Sequence, residues 1–131
     1  MSSPTSGADA VRAFIDAFNA EDLDALVDLC DPEVEVQASR GIVIGHDEVR
    51  RWATRNPSGD LHQRLVVDSL REEGPHVIAF VRREWFWREE PDHVADEQEL
   101  AIVVTMRDGL IARWQPFEDP DEAFAAAGIE A

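Results

Sequence analysis

The chain has no lysine. Its 131 residues carry 12 basic side chains, all of them arginine, against 28 acidic ones, for a net charge of −16. A surface this acidic repels a phosphate backbone, which argues against nucleic-acid binding. The same repulsion argues against anionic membrane surfaces. Net charge speaks to solubility rather than to fold. The arginine bias fits a GC-rich genome, and salt adaptation is an alternative. A single cysteine, Cys30, excludes an internal disulfide and fits a reducing compartment. No run approaches the ~18 consecutive apolar residues of a membrane span. The opening Met1-Ser-Ser-Pro-Thr-Ser-Gly7 lacks a basic or apolar segment of the signal-peptide kind. We read residues 1–7 as a disordered lead, residues 8–131 as one domain, and the expected location as cytoplasmic.

What is present is ample for one domain. The apolar content of 44% is ordinary for a globular protein. At this length folding buries roughly two-thirds of the unfolded chain's surface. No internal repeat or linker marks a second unit.

The first half reads in helical period. Val11, Phe14, Ile15 and Phe18 form a stripe from Ala8 to Ala20. Asp22 can cap a second helix whose buried side holds Leu23, Leu26, Val27, Leu29 and Cys30, with Pro32 as its stop. Val34 and Val36 then alternate with Glu33, Glu35 and Gln37 in a short, half-exposed strand. Gly41–Gly45 is a loop or a second short strand. A third helix over 46–55 places Val49, Trp52 and Ala53 on one side, and Asn56-Pro-Ser-Gly-Asp60 ends it.

The second half changes to period two. Strands are predicted over 61–70, 77–88, 97–107 and 110–117. Glu72-Glu-Gly-Pro75 and Arg107-Asp-Gly109 read as hairpin turns. Glu89 to Asp96 reads as a longer polar turn. A short acidic helix follows over 121–129, with Gly128 beyond its end. Helices followed by an antiparallel meander argue an α+β domain, with the helices on one face of the sheet.

Several segments together resemble the nuclear transport factor 2-like superfamily, and within it the SnoaL-like and ketosteroid-isomerase-like group. Phe18-Asn-Ala-Glu-Asp-Leu-Asp-Ala-Leu resembles the family's helix junction, and Asp31-Pro-Glu-Val-Glu-Val its first-strand entry. Gly45-His-Asp-Glu-Val-Arg-Arg-Trp looks like its glycine before helix three. Arg107-Asp-Gly-Leu-Ile is similar to its last hairpin. Arg113-Trp-Gln-Pro-Phe-Glu-Asp, then Asp121-Glu-Ala-Phe-Ala-Ala-Ala-Gly-Ile, looks like its ending. The match runs over about residues 8–129. It implies a cone-shaped domain: three N-terminal helices on a curved, mainly antiparallel sheet, with a short C-terminal helix. The fold hosts isomerases, hydrolases, cyclases and non-enzymatic binders, so it does not by itself name an activity.

The resemblance also implies a pocket. The last strand would turn Arg113, Gln115 and Phe117 inward, and Trp114 and Pro116 outward. Strand 97–107 would send Leu100, Ile102, Val104 and Met106 inward. Phe14, Phe18 and Trp52 would form the helical wall. The expected ligand-binding set is Phe14, Phe18, Trp52, Trp85, Ile102, Val104, Arg113, Gln115 and Phe117. Arg113 and Gln115 would orient a polar group on a mostly apolar ligand; a structural Arg113 bonded to Glu118, Asp119 or loop carbonyls is the competing reading. Relatives that act as isomerases hold a Tyr donor, a carboxylate base and a donor acid. By the same alignment these positions fall on Phe14, Ala38 and near Ile102. The catalytic Asp of epoxide-hydrolase-like relatives falls on Pro116. None of these side chains can transfer a proton.

Other polar groups remain candidates. In Val77-Ile-Ala-Phe-Val-Arg-Arg-Glu-Trp-Phe-Trp-Arg-Glu89, one register points Arg83, Trp85 and Trp87 inward. The other points Arg82, Glu84 and Phe86 inward. Continuation from Val77, Ala79 and Val81 favours the first. An inward Arg suits an anion clamp with aromatic walls; an outward, ion-paired Arg with aromatics at a dimer interface is the alternative. Glu84, Arg83 and His62 are the catalytic candidates for a relocated acid–base pair. His46, His62, His76 and His93 show no metal-ligand spacing, so neither a metal nor a cofactor is expected. Cys30 reads as a small buried apolar residue rather than a nucleophile. The expected partners are a small hydrophobic molecule with one polar group and a second copy of the chain, joined through the outer sheet face. The expected function is ligand binding; an isomerase, cyclase or hydrolase is the alternative.

Overall fold

The computed structural model describes residues 7–38, 41–54, 61–87 and 89–129. The elements run α1 (Gly7–Ala20), α2 (Leu23–Asp28), β1 (Cys30–Ala38), β2 (Gly41–Ile44), α3 (His46–Thr54), β3 (Leu61–Glu73), β4 (His76–Trp87), β5 (Glu90–Arg107), β6 (Leu110–Phe117) and α4 (Pro120–Ala127). The six strands form one curved sheet in the order β2-β1-β6-β5-β4-β3. Only β1 and β6 pair in parallel; the other neighbours are antiparallel. The expected α+β class therefore holds, with α3 following β1 and β2 in the order read from the sequence. Residues 1–6, Arg55, the stop at 56–60 and Arg88 lie outside the described residues.

α1 begins one residue inside the segment read as a lead. The backbone N–H groups of Gly7 and Ala8 both donate to the Glu72 carboxylate, at 3.1 Å each. A helix start leaves such donors without partners inside the helix, and a carboxylate there also suits the helix dipole. Glycine is required by the close approach to β4: a Cβ at position 7 would lie 2.8 Å from Val77 Cγ2. Downstream, Val11, Phe14 and Ile15 are buried along the predicted stripe.

α2 is capped as predicted, with the Asp22 side chain accepting from the Ala25 N–H at 3.2 Å. It ends earlier than Pro32, with Leu29 as its C-cap. The Ile111 N–H donates to the Leu29 carbonyl at 2.9 Å, drawing the chain into the sheet beside β6. Cys30 is thus the first residue of β1, and Pro32 lies within that strand. Register against β6 shifts between Cys30 and Glu35, an irregularity that accommodates a residue without an N–H.

β5 is longer than predicted. The polar stretch from Glu90 to Asp96 continues the strand against β4, with register shifts at Trp85/Phe86 and Phe86/Trp87. Backbone pairing overrides the low strand propensity of these side chains. His76 and His93 consequently lie in strands rather than turns. The Asp-Gly turn is as predicted: Asp108 and Gly109 both have positive φ, 53° and 81°, as a tight hairpin of this kind requires.

The sheet buries both faces. On one, α1, α2 and α3 cover a core that includes Val36, Ala79, Leu100, Ile102, Val104 and Trp114. On the other, α4 covers Ile78, Ala101 and Val103, joined by Phe80 and Phe117. That second layer departs from the prediction that all helices share one face. Strand β5 explains it: Ala101 and Val103 alternate with Leu100, Ile102 and Val104, so both of its faces are apolar and both need cover.

The main core is centred on Trp114. It is 2% exposed, and Phe14 opposite it is fully buried. Their ring centroids lie 4.4 Å apart. Replacing a buried aromatic of this size by Ala costs about 3–5 kcal/mol, a large part of the ~5–15 kcal/mol that holds a domain folded. Trp114→Ala is therefore expected to lower the denaturation midpoint sharply in a urea titration followed by circular dichroism. An unchanged midpoint would contradict this account of the core.

Candidate functional site

A cleft of about 920 Å³ opens between the helical layer and the inward face of the sheet. Its floor is built by alternate residues of adjacent strands: Leu100 and Ile102 from β5, Trp114 and Pro116 from β6, Ala38 from β1 and Leu65 from β3. Its walls are Phe18 from α1, Trp52 and Ala53 from α3, and Val43 from β2. The Phe18 and Trp52 rings stand 5.9 Å apart.

Glu21, Gln37, Glu48 and Arg51 line other parts of the cleft, and a row of polar groups runs along its β3–β4–β5 side. Arg83, Gln63, Gln98 and Glu118 line it there. Arg83 is opposite Gln98 on β5 and Leu65 on β3. Gln98 Nε2 donates to Glu118 Oε1 at 2.6 Å. Burial holds the Arg83 guanidinium below its ordinary pKa, because the charged form loses water; the Glu118 carboxylate acts in the opposite direction. Arg83 Cζ lies 5.6 Å from the centre of the Trp85 ring. At the rim, His62 Nδ1 is 4.0 Å from Glu21 Oε1, and the His62 ring stacks on Phe86 at 5.9 Å. Arg51 pairs with Glu48 at 3.0 Å.

Of the expected ligand-binding residues, Phe18, Trp52 and Ile102 line this cleft, together with Arg83. Phe14 and Val104 are completely buried in the core beneath it. Trp85 is half-buried beside Arg83.

Arg113, Gln115 and Phe117 do not reach the cleft, and here the sequence reading is corrected. Arg113 is exposed and binds Glu35 Oε2 through Nε and Nη2, at 3.2 and 3.0 Å. Gln115 donates to Gln37 Oε1 at 3.5 Å. Phe117 packs in the cluster under α4. The alternation on β6 was read in the wrong phase: Trp114 and Pro116 are the inward pair. Burying the indole gains far more than burying a guanidinium, which would have to leave water or carry a partner inside.

Glu84 is also corrected as a catalytic candidate. It is 6% exposed but lies on the face away from the cleft. Arg64 Nε donates to it at 2.7 Å and Arg82 Nη1 at 3.3 Å. Arg82 also reaches Asp68 at 3.4 Å. Arg82 is thus the outward, ion-paired arginine, and Arg83 the inward one. Removing the central carboxylate leaves two cations facing each other, each about two-thirds shielded from solvent. Glu84→Gln is expected to cost about 1–3 kcal/mol in chemical denaturation. A stability equal to that of the parent would show that the cluster contributes nothing.

Gln63, Leu65, Gln98 and Glu118 were missed. Period two identifies Gln98, because it continues Leu100, Ile102 and Val104 toward the turn. It identifies Glu118 as well, once Trp114 and Pro116 are known to face inward.

Ala38, Ile102 and Pro116, where the resemblance puts the known catalytic groups, all line the cleft. None carries a titratable group. Among the described residues, no group of three or more His, Cys, Asp or Glu side chains is arranged to hold a metal ion. Among the same residues, no helix is long and apolar enough to cross a membrane.

Residues 11–114 match the SnoaL-like domain family. The chain belongs to that family. Its structure is similar to an NTF2-like protein of unknown function from Cytophaga hutchinsonii, with a TM-score of 0.71 and 18% identity, over 95% of this chain and 99% of the other. It is also similar to a Catenulispora acidiphila protein with a ketosteroid isomerase-like fold, in complex with trimethylamine, with a TM-score of 0.71 and 16% identity over 95% and 96% of the two chains. A third similar structure is an LEH-like epoxide hydrolase of M. tuberculosis, with a TM-score of 0.67 and 17% identity over 88% and 84%. No curated protein matches the chain. At these identities the likeness carries the fold alone.

Cys30, outside the cleft, is buried, and burial pushes its thiol up to about 12. Its Sγ donates to the Leu26 carbonyl at 3.5 Å. A thiol with that pKa is almost wholly protonated at pH 8, and the thiolate is the reactive form. Iodoacetamide at pH 8 is therefore expected to leave the folded protein unmodified and to alkylate it in denaturant, as read by mass. Rapid alkylation of the folded protein would contradict this.

Proposed function

We propose that the SnoaL-like cleft binds a small, mostly apolar molecule with one polar group, and that its shape is the cone typical of the family. One observation carries the reading: apolar side chains from five strands and two helices converge on a single space with a polar row along one side. Ligand pockets commonly have this character, with a few polar groups fixing orientation. The polar end is set by Arg83, Gln98 and Gln63 rather than by Arg113 and Gln115. The test is to narrow the cleft from its edge. Ala38→Phe, at the end of β1, is expected to weaken binding of an apolar fluorescent probe such as N-phenyl-1-naphthylamine by about tenfold, which corresponds to ~1.4 kcal/mol. Its circular dichroism should match the parent. Equal binding by both proteins would refute the assignment.

A second reading is an enzyme of the isomerase, cyclase or hydrolase type with its acid–base groups at new positions. One observation favours it: a histidine and a carboxylate, His62 and Glu21, stand together at the cleft rim. An imidazole oriented by a carboxylate can take and return a proton. His62-dependent uptake of deuterium from D2O by an apolar ketone such as 2-tetralone is the outcome this reading expects. Uptake at the buffer rate, unchanged in His62→Gln, would remove proton abstraction from the reading.

The same proposal includes a homodimer. α4 covers only part of the outer sheet face. The open part holds the Arg64–Glu84–Arg82 cluster and Phe86, with Trp87 44% exposed at its margin. Light scattering in moderate salt should return twice the 14.7 kDa chain mass; a clean monomer would contradict it.

A further inference from the structure

The inward arginine carries more than a general polar contact. Arg83 extends from the middle of β4 into the cleft, and its side chain is half-buried. It makes no hydrogen bond or ion pair with another described residue. Every other inward position on β4 up to that point, at Val77, Ala79 and Val81, is apolar and buried. Its cross-strand neighbours are Gln98 and Leu65, so neither supplies a counter-charge. Glu118, the carboxylate whose charge it feels, is engaged by the Gln98 amide at 2.6 Å. A buried cation is ordinarily paired. Here the guanidinium shares its cleft with the apolar side chains of Leu100, Ile102 and Trp114.

We propose that the polar group of the ligand is a carboxylate seated on the Arg83 guanidinium, so that the cleft takes a compact apolar carboxylic acid as its monoanion. The inference rests on the reading of the cleft as a binding site for small apolar molecules. The planar fork of Arg83 matches a carboxylate through two parallel hydrogen bonds. The Trp85 ring beside the guanidinium restricts its plane. The charge balance selects the monoanion. Glu21, Glu48 and Glu118 line the cleft against Arg51 and Arg83, and Arg51 already pairs with Glu48. A phosphate-like dianion would bring a second negative charge that no cation among the described residues there offsets, inside a chain of net charge −16. The desolvation that depresses the Arg83 pKa acts in the same direction, since a bound carboxylate would restore the lost stabilisation of the cation.

The probes are 2-naphthoic acid and its methyl ester, titrated by calorimetry at neutral pH. They share an apolar body and differ in charge. The acid is expected to bind the parent at least about tenfold more tightly than the ester, the factor for a charge-assisted hydrogen-bonded pair. In Arg83→Gln that preference should fall to within about twofold, with ester binding retained. Arg83→Lys, which keeps the charge and loses the fork, should keep only part of it. Equal binding of acid and ester by the parent, or a preference that persists in Arg83→Gln, would overturn the carboxylate assignment and leave the cleft reading standing. Failure of both probes to bind the parent would overturn the cleft reading itself. The acid–ester comparison on the parent decides the matter even where a variant does not fold.

Discussion

The packing of Trp114 against Phe14 is the contact on which the rest of the arrangement depends. The indole is the largest side chain on β6, and its burial sets which way every residue of that strand faces. Because the side-chain period is two, Pro116 follows it inward, and Arg113, Gln115 and Phe117 go to the opposite side. The parallel register Val36↔Trp114 extends the same phase to β1. Val36 and Ala38 therefore share the inward face, and Glu35 meets Arg113 on the other. One aromatic pair thus decides both the floor of the cleft and which ion pairs stay in solvent.

The central strands handle charge by the same rule. β4 carries Arg82, Arg83 and Glu84 in succession, so alternation must send at least one charge to each face. On the outer face, Glu84 sits between two arginines, and each buried group has a partner. On the inner face, Arg83 has an aromatic neighbour and an adjacent amide but no carboxylate in contact. Among the described residues, the outer face of β4 therefore holds an ion-paired cluster and its inner face a cation with no carboxylate in contact. That cation faces the concave side, where three helices and the sheet leave space. That asymmetry gives the cleft a polar end, although the positions where the resemblance puts the family's catalytic groups hold Ala, Ile and Pro.

Local signals were legible wherever a few residues suffice to decide the backbone. Asp22 capped α2 where the helix junction indicated, and Asp108-Gly109 made the turn its composition called for. The phase of β5 was legible because Leu100, Ile102 and Val104 form an unbroken apolar series, while Val77, Ala79 and Val81 favoured one register of β4 and left the other open. β6 offered no such series: Arg-Trp-Gln-Pro-Phe places a polar residue or proline beside each aromatic, so alternation names no inward face, and the resemblance was read with Arg113, Gln115 and Phe117 inward. The end of α2 was misread because a backbone bond from Ile111, distant in sequence, drew Leu29 toward the sheet. The extension of β5 into an acidic stretch was misread for a similar reason, since pairing with β4 outweighs side-chain preference there.

The amino-acid sequence by itself determined the class, the family and nearly every element, because caps, turns and apolar periodicity act over a few residues at a time. It also determined what is missing: no titratable group stands at Ala38, Ile102 or Pro116. The tertiary structure alone decided which side of β6 lines the cleft, which arginine of β4 faces it, and that α4 covers the far face. Those outcomes depend on competition between distant side chains for a limited interior. Burying Trp114 excludes Arg113 from the same face, and only the assembled sheet brings the two alternatives into conflict.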